Sequence, residues 1–170
     1  MDLFTAIHTR RSVRTFTETP VSEEDIATML EAAMVAPSAG NSQPWRFVVV
    51  DDQSILETAA TLNPYAGMAK NAPLAILVGG DLTAEKHSGF WIQDCSAATQ
   101  NLLLAATALG LGAVWTGIYP EQDRIEKYSS LFRLPEHIIP LSLVVIGHPK
   151  VTQEPKSRFN SENVKRNRWS

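Results

Sequence analysis

The stretch Asn71-Ala72-Pro73-Leu74-Ala75-Ile76-Leu77-Val78-Gly79-Gly80 decides the class of fold. Its centre, Leu74 to Val78, is an unbroken apolar run with a proline before it and two glycines after it. The run is too short for a helix and has no polar alternation, so it reads as a strand covered on both faces. Gly79-Gly80 reads as its end.

Working outward, Phe47-Val48-Val49-Val50, stopped by Asp51-Asp52, has the same character. So does Leu141-Ser142-Leu143-Val144-Val145-Ile146, stopped by Gly147-His148-Pro149. Ala113-Val114-Trp115-Thr116 is a shorter strand, followed by a turn at Gly117-Ile118-Tyr119-Pro120. Helical patterns fill the gaps. Residues 2–9 form a short helix with Leu3, Phe4 and Ile7 on one side. Ser22-Glu23-Glu24-Asp25 matches a capping box with Ser22 as N-cap, and Ile26, Met29, Leu30 and Ala33 follow at helical spacing until Pro37 forbids more. Residues 53–61 and 121–131 read as helices, 65–70 as one more turn after the break at Asn63-Pro64, and 81–92 as a loop or loose helix.

Residues 94–109 are the most apolar helix, with Ala97, Ala98, Leu102, Leu103, Leu104, Ala105, Ala106, Ala108 and Leu109 leaving almost no polar face. Such a helix is expected to be buried on all sides, either centrally or under a second subunit. Helix-connected apolar strands argue an α/β or α+β sheet with helices on both faces, three layers in all. No repeat or linker interrupts residues 1–170, so one domain is expected.

Composition excludes several classes. With 44% hydrophobic and 19% charged residues the chain is an ordinary globular protein. A net charge of −3 provides no overall field for nucleic acid or anionic membrane, and no apolar run is long enough to span a bilayer. Met1 to Thr5 lack the basic start and apolar core of a secretion signal. The single cysteine, Cys95, excludes an internal disulfide and fits a cytoplasmic location. It sits in the apolar helix, where packing is the expected role. His8, His87, His137 and His148 are scattered without metal-ligand spacing. The only GxG, Gly110-Leu111-Gly112, follows a helix and precedes a strand, the reverse of a dinucleotide fingerprint. No paired carboxylates stand out, and Glu23, Glu24 and Asp25 are charges of a helix start.

What remains is cationic. Arg10-Arg11-Ser12-Val13-Arg14 places three guanidinium groups and a hydroxyl in five residues of an acidic chain. Such a cluster suits a terminal phosphate, because the arginine fork matches phosphate oxygens. A solvated basic linker remains the alternative on these residues alone. Pro37-Ser38-Ala39-Gly40-Asn41-Ser42-Gln43-Pro44 is a loop dense in turn residues and amides. The last 15 residues hold Lys156, Arg158, Lys165, Arg166 and Arg168 against Glu162.

Taken together, these pieces resemble the nitroreductase family of flavin oxidoreductases, from about residue 4 to Trp169. Four motifs carry the resemblance: Arg10-Arg11-Ser12-Val13-Arg14-Thr15-Phe16, the stretch from Ala36 to Trp45, the stretch from Leu109 to Gly117, and the tail Val164-Lys165-Arg166-Asn167-Arg168-Trp169. The resemblance implies a central mixed sheet of four to five strands flanked by helices, with room for a last strand contributed by the C-terminal tail of a partner subunit. It implies tightly bound FMN, NAD(P)H as co-substrate and a homodimer with the active site at the interface. Arg10, Arg11, Ser12 and Arg14 would serve phosphate, ribityl chain and pyrimidine edge, and Lys165 and Arg168 would complete the phosphate site. The loop residues Pro37, Ser38, Ala39, Asn41 and Gln43 would approach the partner's flavin. Asn71 matches a ring-edge position, and Trp115, Thr116 and Gly117 would lie against the isoalloxazine, with a backbone N–H of Gly117 at N5. Hydride then passes by way of flavin N5 in a ping-pong cycle to a nitroaromatic or quinone, and no side chain is needed as acid or nucleophile. The chain is short for the family, so only residues 80–93 are available to cover the substrate. Phe90 and Trp91 fit that cover or the core equally.

Other readings stay open at this point. A flavin-binding carrier or sensor would show the same motifs, as would a desaturating or dehalogenating flavoenzyme. A nucleic-acid role for the basic tail is disfavoured by the acidic remainder.

Overall fold

The computed structural model describes residues 1–151 and 154–169. Helix α1 (Leu3–Thr9) is capped by Asp2, whose carboxylate accepts the Thr5 N–H. Helix α2 (Glu23–Met34) has the expected reciprocal cap: Ser22 Oγ accepts the Asp25 N–H at 3.1 Å and donates to the Asp25 carboxylate at 2.8 Å. Strand β1 (Trp45–Val50) leads to α3 (Gln53–Leu62), which Asp52 caps through the N–H groups of Ser54 and Ile55. A 3-10 turn at Gly67–Asn71 precedes β2 (Leu74–Asp81). Then come α4 (Trp91–Ala108), β3 (Gly112–Gly117), α5 (Gln122–Leu131) and β4 (Ile138–Gly147).

The strands lie in the order β1-β2-β4-β3. The implied mixed character is confined to one isolated parallel bridge, Ser12 to Ala113, because all three strand pairs are antiparallel. The apolar runs now have their reason. Ile76, Val78, Val144 and Ile146 face α2 and α4, packing with Met29, Ala33, Leu102 and Ala106. Ala75, Leu77, Leu143 and Val145 face the other way, against Leu56 and Ala59 of α3 and Ile125 and Tyr128 of α5. Period-two alternation between two apolar layers requires apolar residues at every position.

Two expectations need correction. Gly79-Gly80 does not end β2, which bulges between Val78 and Gly79 and runs on to Asp81. A Cβ on Gly80 would lie 2.4 Å from the Trp91 ring, so this glycine makes room for α4 within the strand. Helix α4 is not buried all round within one chain. Its buried residues, among them Trp91, Cys95, Ala98, Leu102 and Ala106, form one stripe, while Leu104 and Ala105 are half-buried and Gln100 is exposed.

Candidate functional site

The arginine segment runs across the end of the sheet at which β3 begins. Val13 and Phe16 are buried and act as its anchors. The Val13 N–H donates to the Ala113 carbonyl at 3.0 Å, and Phe16 bridges to Pro149. Glycines make room beside both anchors: a Cβ on Gly112 would meet Val13 Cγ1 at 2.7 Å, and one on Gly147 would meet Pro73 Cδ at 2.7 Å and Phe16 Cβ at 3.1 Å. Seating two apolar side chains in this way leaves the polar residues between and beside them on the outside.

Arg14 is exposed and lines a hollow of about 560 Å³ with Thr15, Lys70, Asn71 and Lys150. Arg10 and Arg11 line a second, of about 430 Å³, with His8, Lys156 and Arg158. Arg11 is turned largely to the backbone. Its Nη1 donates to the carbonyls of His8 and Arg10, and its Nε to Glu154, which ties α1 to the tail. Its Nη2 is buried with no partner among the described residues. Burial, then the charges of Arg158 and Arg11, hold the Arg10 guanidinium below the ordinary arginine range. The ion pairs among the described residues are Arg46–Asp81 and Lys127–Asp123, so none of Arg10, Arg11, Arg14 and Arg158 forms one there, although Glu18 lines the hollow of Arg14. A cluster of cations with a desolvated, partnerless donor is complementary to an anion.

The tail cations divide differently from the expectation. Lys156 and Arg158 stand at Arg10, whereas Lys165 and Arg168 line a shallow hollow of their own with Trp169. Lys165 Nζ lies 5.9 Å above the Trp169 ring.

Strand β3 forms an edge of the sheet. The Ile118 N–H donates to Leu141, opposite the even-numbered side of β3, and Ala113 and Gly117 offer their carbonyls to the other side, to Val13, Asn63 and Arg124. In an antiparallel ladder such sides alternate, so the N–H groups of Trp115 and Gly117 also face away from β4. Space in front of Gly117 is open: a Cβ there would meet nothing nearer than the Tyr119 carbonyl at 4.0 Å. Trp115 is half-buried against the α4 side, and the Thr116 hydroxyl is buried, donating to Leu143 at 2.7 Å. At this edge it is therefore backbone that faces outward.

The loop from Pro37 to Gln43 lies at the start of α4. Asp94 Oδ1 accepts the Ala39 N–H at 3.0 Å, Ser38 Oγ accepts that of Gln43, and Lys86 Nζ donates to Gly40 at 2.8 Å. Gly40, Asn41 and Gln43 all have positive φ. None of these loop residues lines the arginine hollows. Trp91 is buried and meets Tyr119 edge-to-face, which assigns it to the core, while Phe90 is exposed. Burial pushes the Cys95 thiol up to about 12, with Asp94 adding to it, so Cys95 is no thiolate nucleophile. Asn63 and Arg124, which hold Gly117, were not legible as site residues: Asn63-Pro64 reads only as a break in the chain.

The profile of the nitroreductase family matches residues 7–65 and 56–148, which together span most of this structure. The chain belongs to the nitroreductase family. It is 47% identical over 169 residues, 99% of the chain and 88% of the relative, to a protein of Methanothermobacter thermautotrophicus provisionally named NADH dehydrogenase/NAD(P)H nitroreductase. A crystal structure of a protein from Parabacteroides distasonis with the same provisional name superposes with a TM-score of 0.95 at 43% identity, covering 98% of each chain. A Desulfovibrio desulfuricans protein provisionally named a nitroreductase, solved in complex with FMN, has a TM-score of 0.85 at 32% identity, covering 100% of this chain and 99% of that one. Within this nitroreductase chain, the family matches span both the arginine segment and the β3 edge.

Proposed function

We propose that this nitroreductase is an FMN-dependent oxidoreductase that reduces electron-poor acceptors such as nitroaromatics or quinones at the expense of NAD(P)H. FMN, when bound, supplies the redox chemistry, accepting a hydride from the nicotinamide and passing it on by ping-pong exchange. The observation that carries the reading is the cationic segment beside an open strand edge. Its donors fit the group: a dianionic phosphate needs several cations without competing carboxylates, and Arg10, Arg11 and Arg158 meet that need. Arg11 Nη2 is a buried donor with no hydrogen-bond partner among the described residues.

Arg10, Arg11 and Ser12 would hold the phosphate and ribityl chain, and Arg14 would neutralise charge at the pyrimidine edge. The Gly117 N–H, turned out of the sheet, would meet flavin N5. Asn71, which lines the same hollow as Arg14, would stand with it at the pyrimidine edge.

The site is completed by a second copy of the chain. The loop of Pro37, Ser38, Ala39, Asn41 and Gln43 is built away from the arginines, so it would serve the partner's flavin. Leu3, Phe4 and Ile7 on α1 and Phe159 and Trp169 in the tail are exposed apolar side chains that a partner would cover. Lys165 and Arg168, which belong to that tail, would then reach a phosphate site across the interface.

The test is spectroscopic. The purified protein should be yellow and release FMN on denaturation. NADH or NADPH should bleach it without oxygen, and a nitroaromatic or quinone should restore the colour. Bleaching with no recovery by any such acceptor would favour the carrier or sensor reading, and a colourless protein that does not take up FMN would end both. Light scattering after size exclusion should give a dimer.

A further inference from the structure

The Gly117 carbonyl is held by two side chains that the proposed chemistry does not use. Asn63 is fully buried, between α3 and the turn that precedes β2. Its carboxamide is committed at both ends: Nδ2 donates to the Gly117 carbonyl at 3.0 Å, and Oδ1 accepts the Tyr65 N–H at 2.9 Å. Arg124, from the first turns of α5, donates through Nη1 to the same carbonyl at 3.2 Å. Its guanidinium lies 5.5 Å over the Tyr65 ring, so the ring of one residue and the backbone of the same residue each steady one of the two donors.

A glycine at a strand end is the residue least able to hold its own orientation, having no Cβ to restrict it. The next residue, Ile118, donates to Leu141 and fixes the chain on the inner side. On the outer side, among the described residues, it is the Gly117 carbonyl that is held, by Asn63 and Arg124. In a strand, a residue's N–H and C=O point to the same side. Two donors closing on the carbonyl therefore lock the outward direction that the β3–β4 ladder gives the N–H.

We infer that Asn63 and Arg124 are positioning residues: they hold the Gly117 carbonyl and thereby aim the Gly117 N–H out of the β3 edge at the flavin. The inference rests on the flavin reading above. It adds an arm from α5 and one from the break before β2 to a site otherwise built from the arginine segment, β3 and the tail.

The experiment follows the Gly117 amide by NMR in ¹⁵N-labelled apoprotein during titration with FMN, in the native chain and in Arg124→Ala, Arg124→Lys and Asn63→Ala. In the native chain the Gly117 resonance should shift on saturation. A Gly117 amide that does not respond there would overturn the ring-edge assignment, and the inference with it. Given a native response, Arg124→Ala should weaken FMN binding at least threefold, speed Gly117 hydrogen exchange in the holoprotein at least tenfold, and lower kcat with little change in KM for the nicotinamide nucleotide. Arg124→Lys, which keeps a donor and the charge, should recover part of each effect. A purely structural role would instead lower the apoprotein melting temperature without a change specific to Gly117. Arg124 is only half-buried, so its variants test the idea even where Asn63→Ala does not fold. FMN affinity and Gly117 exchange within twofold of native in Arg124→Ala would overturn the inference and leave the flavin reading standing.

Discussion

Strand β2 is buried at every residue, and β4 at all but its first two; β3, their neighbour at the edge, leaves Trp115 and Gly117 partly open and turns one side of its backbone outward. The central strands are sealed by apolar side chains on both faces and by hydrogen-bonded neighbours on both edges. The edge strand is finished by polar groups instead: the Val13 N–H at one end, and the Asn63 and Arg124 side chains at the other. On the proposed reading, stability and chemistry are thus laid down in adjacent strands, because a bound ligand needs donors that the fold has not already used.

The largest test of this division is in the centre. Leu143 is fully buried in β4, facing α3 and α5. Leu143→Ala should cost about 2–5 kcal/mol in chemical denaturation, from lost burial and the cavity left behind. FMN affinity of the protein that remains folded should hardly change. A proportionate fall in affinity would dissolve the distinction between the two strands.

Next comes the arginine segment. Arg10→Ala together with Arg14→Ala should weaken FMN binding at least tenfold, about 1.4 kcal/mol, since hydrogen bonds to charged groups contribute about that much or more. The apoprotein melting temperature should stay level or rise, because removing Arg10 relieves its repulsion with Arg158 and Arg11. Unchanged flavin content would remove the segment from the site.

The smallest effect sharpens the comparison from the opposite end of β2. Asp81 meets Arg46 at 2.6 Å, and hydrogen bonds from Thr83, chiefly, then Arg46 and His137, hold its carboxyl below its usual 3.8 against the opposing effect of burial. A lowered carboxyl contributes stability above its unfolded value and loses it as pH falls through the folded one. Denaturation followed from pH 7 downward should show that loss below about pH 4, and Asp81→Asn should flatten that part of the profile. Near pH 7 the substitution should cost less than about 1 kcal/mol, since Arg46 is half exposed. A profile unaltered by Asp81→Asn would mean that the pair contributes nothing measurable.

Much of the fold was legible beforehand, for identifiable reasons. Leu74 to Val78 and Leu141 to Ile146 are apolar without interruption because both faces of their strands are covered. Ser22 with Asp25, and Pro37 beyond, mark the limits of α2 by chemistry that acts within a few residues. The arginine segment was legible as a cluster, and its resemblance carried the family. Gly79-Gly80 misled because a glycine pair ends a strand as readily as it admits a neighbouring ring. The apolar pattern of α4 did not mark which of its residues one chain covers: the buried ones form a stripe, and the others are half-buried or exposed.

Residue order therefore settles whatever acts over a turn or a few strand positions: hydrophobic period, caps, breaks and the local density of charge. Folding alone decided which of those features meet. Val13 is separated by almost a hundred residues from Gly112, which makes room for it. Ala39 is held by Asp94 across 55 positions, and Gly117 by Asn63 across 54. Nothing around Asn63 marks it out, since a buried carboxamide is specified by the groups that satisfy it, and those arrive from another strand. Arg11 likewise looks like its neighbours in the chain, and only the closure of α1 against the tail turns it from a surface charge into a backbone tie with one donor left over.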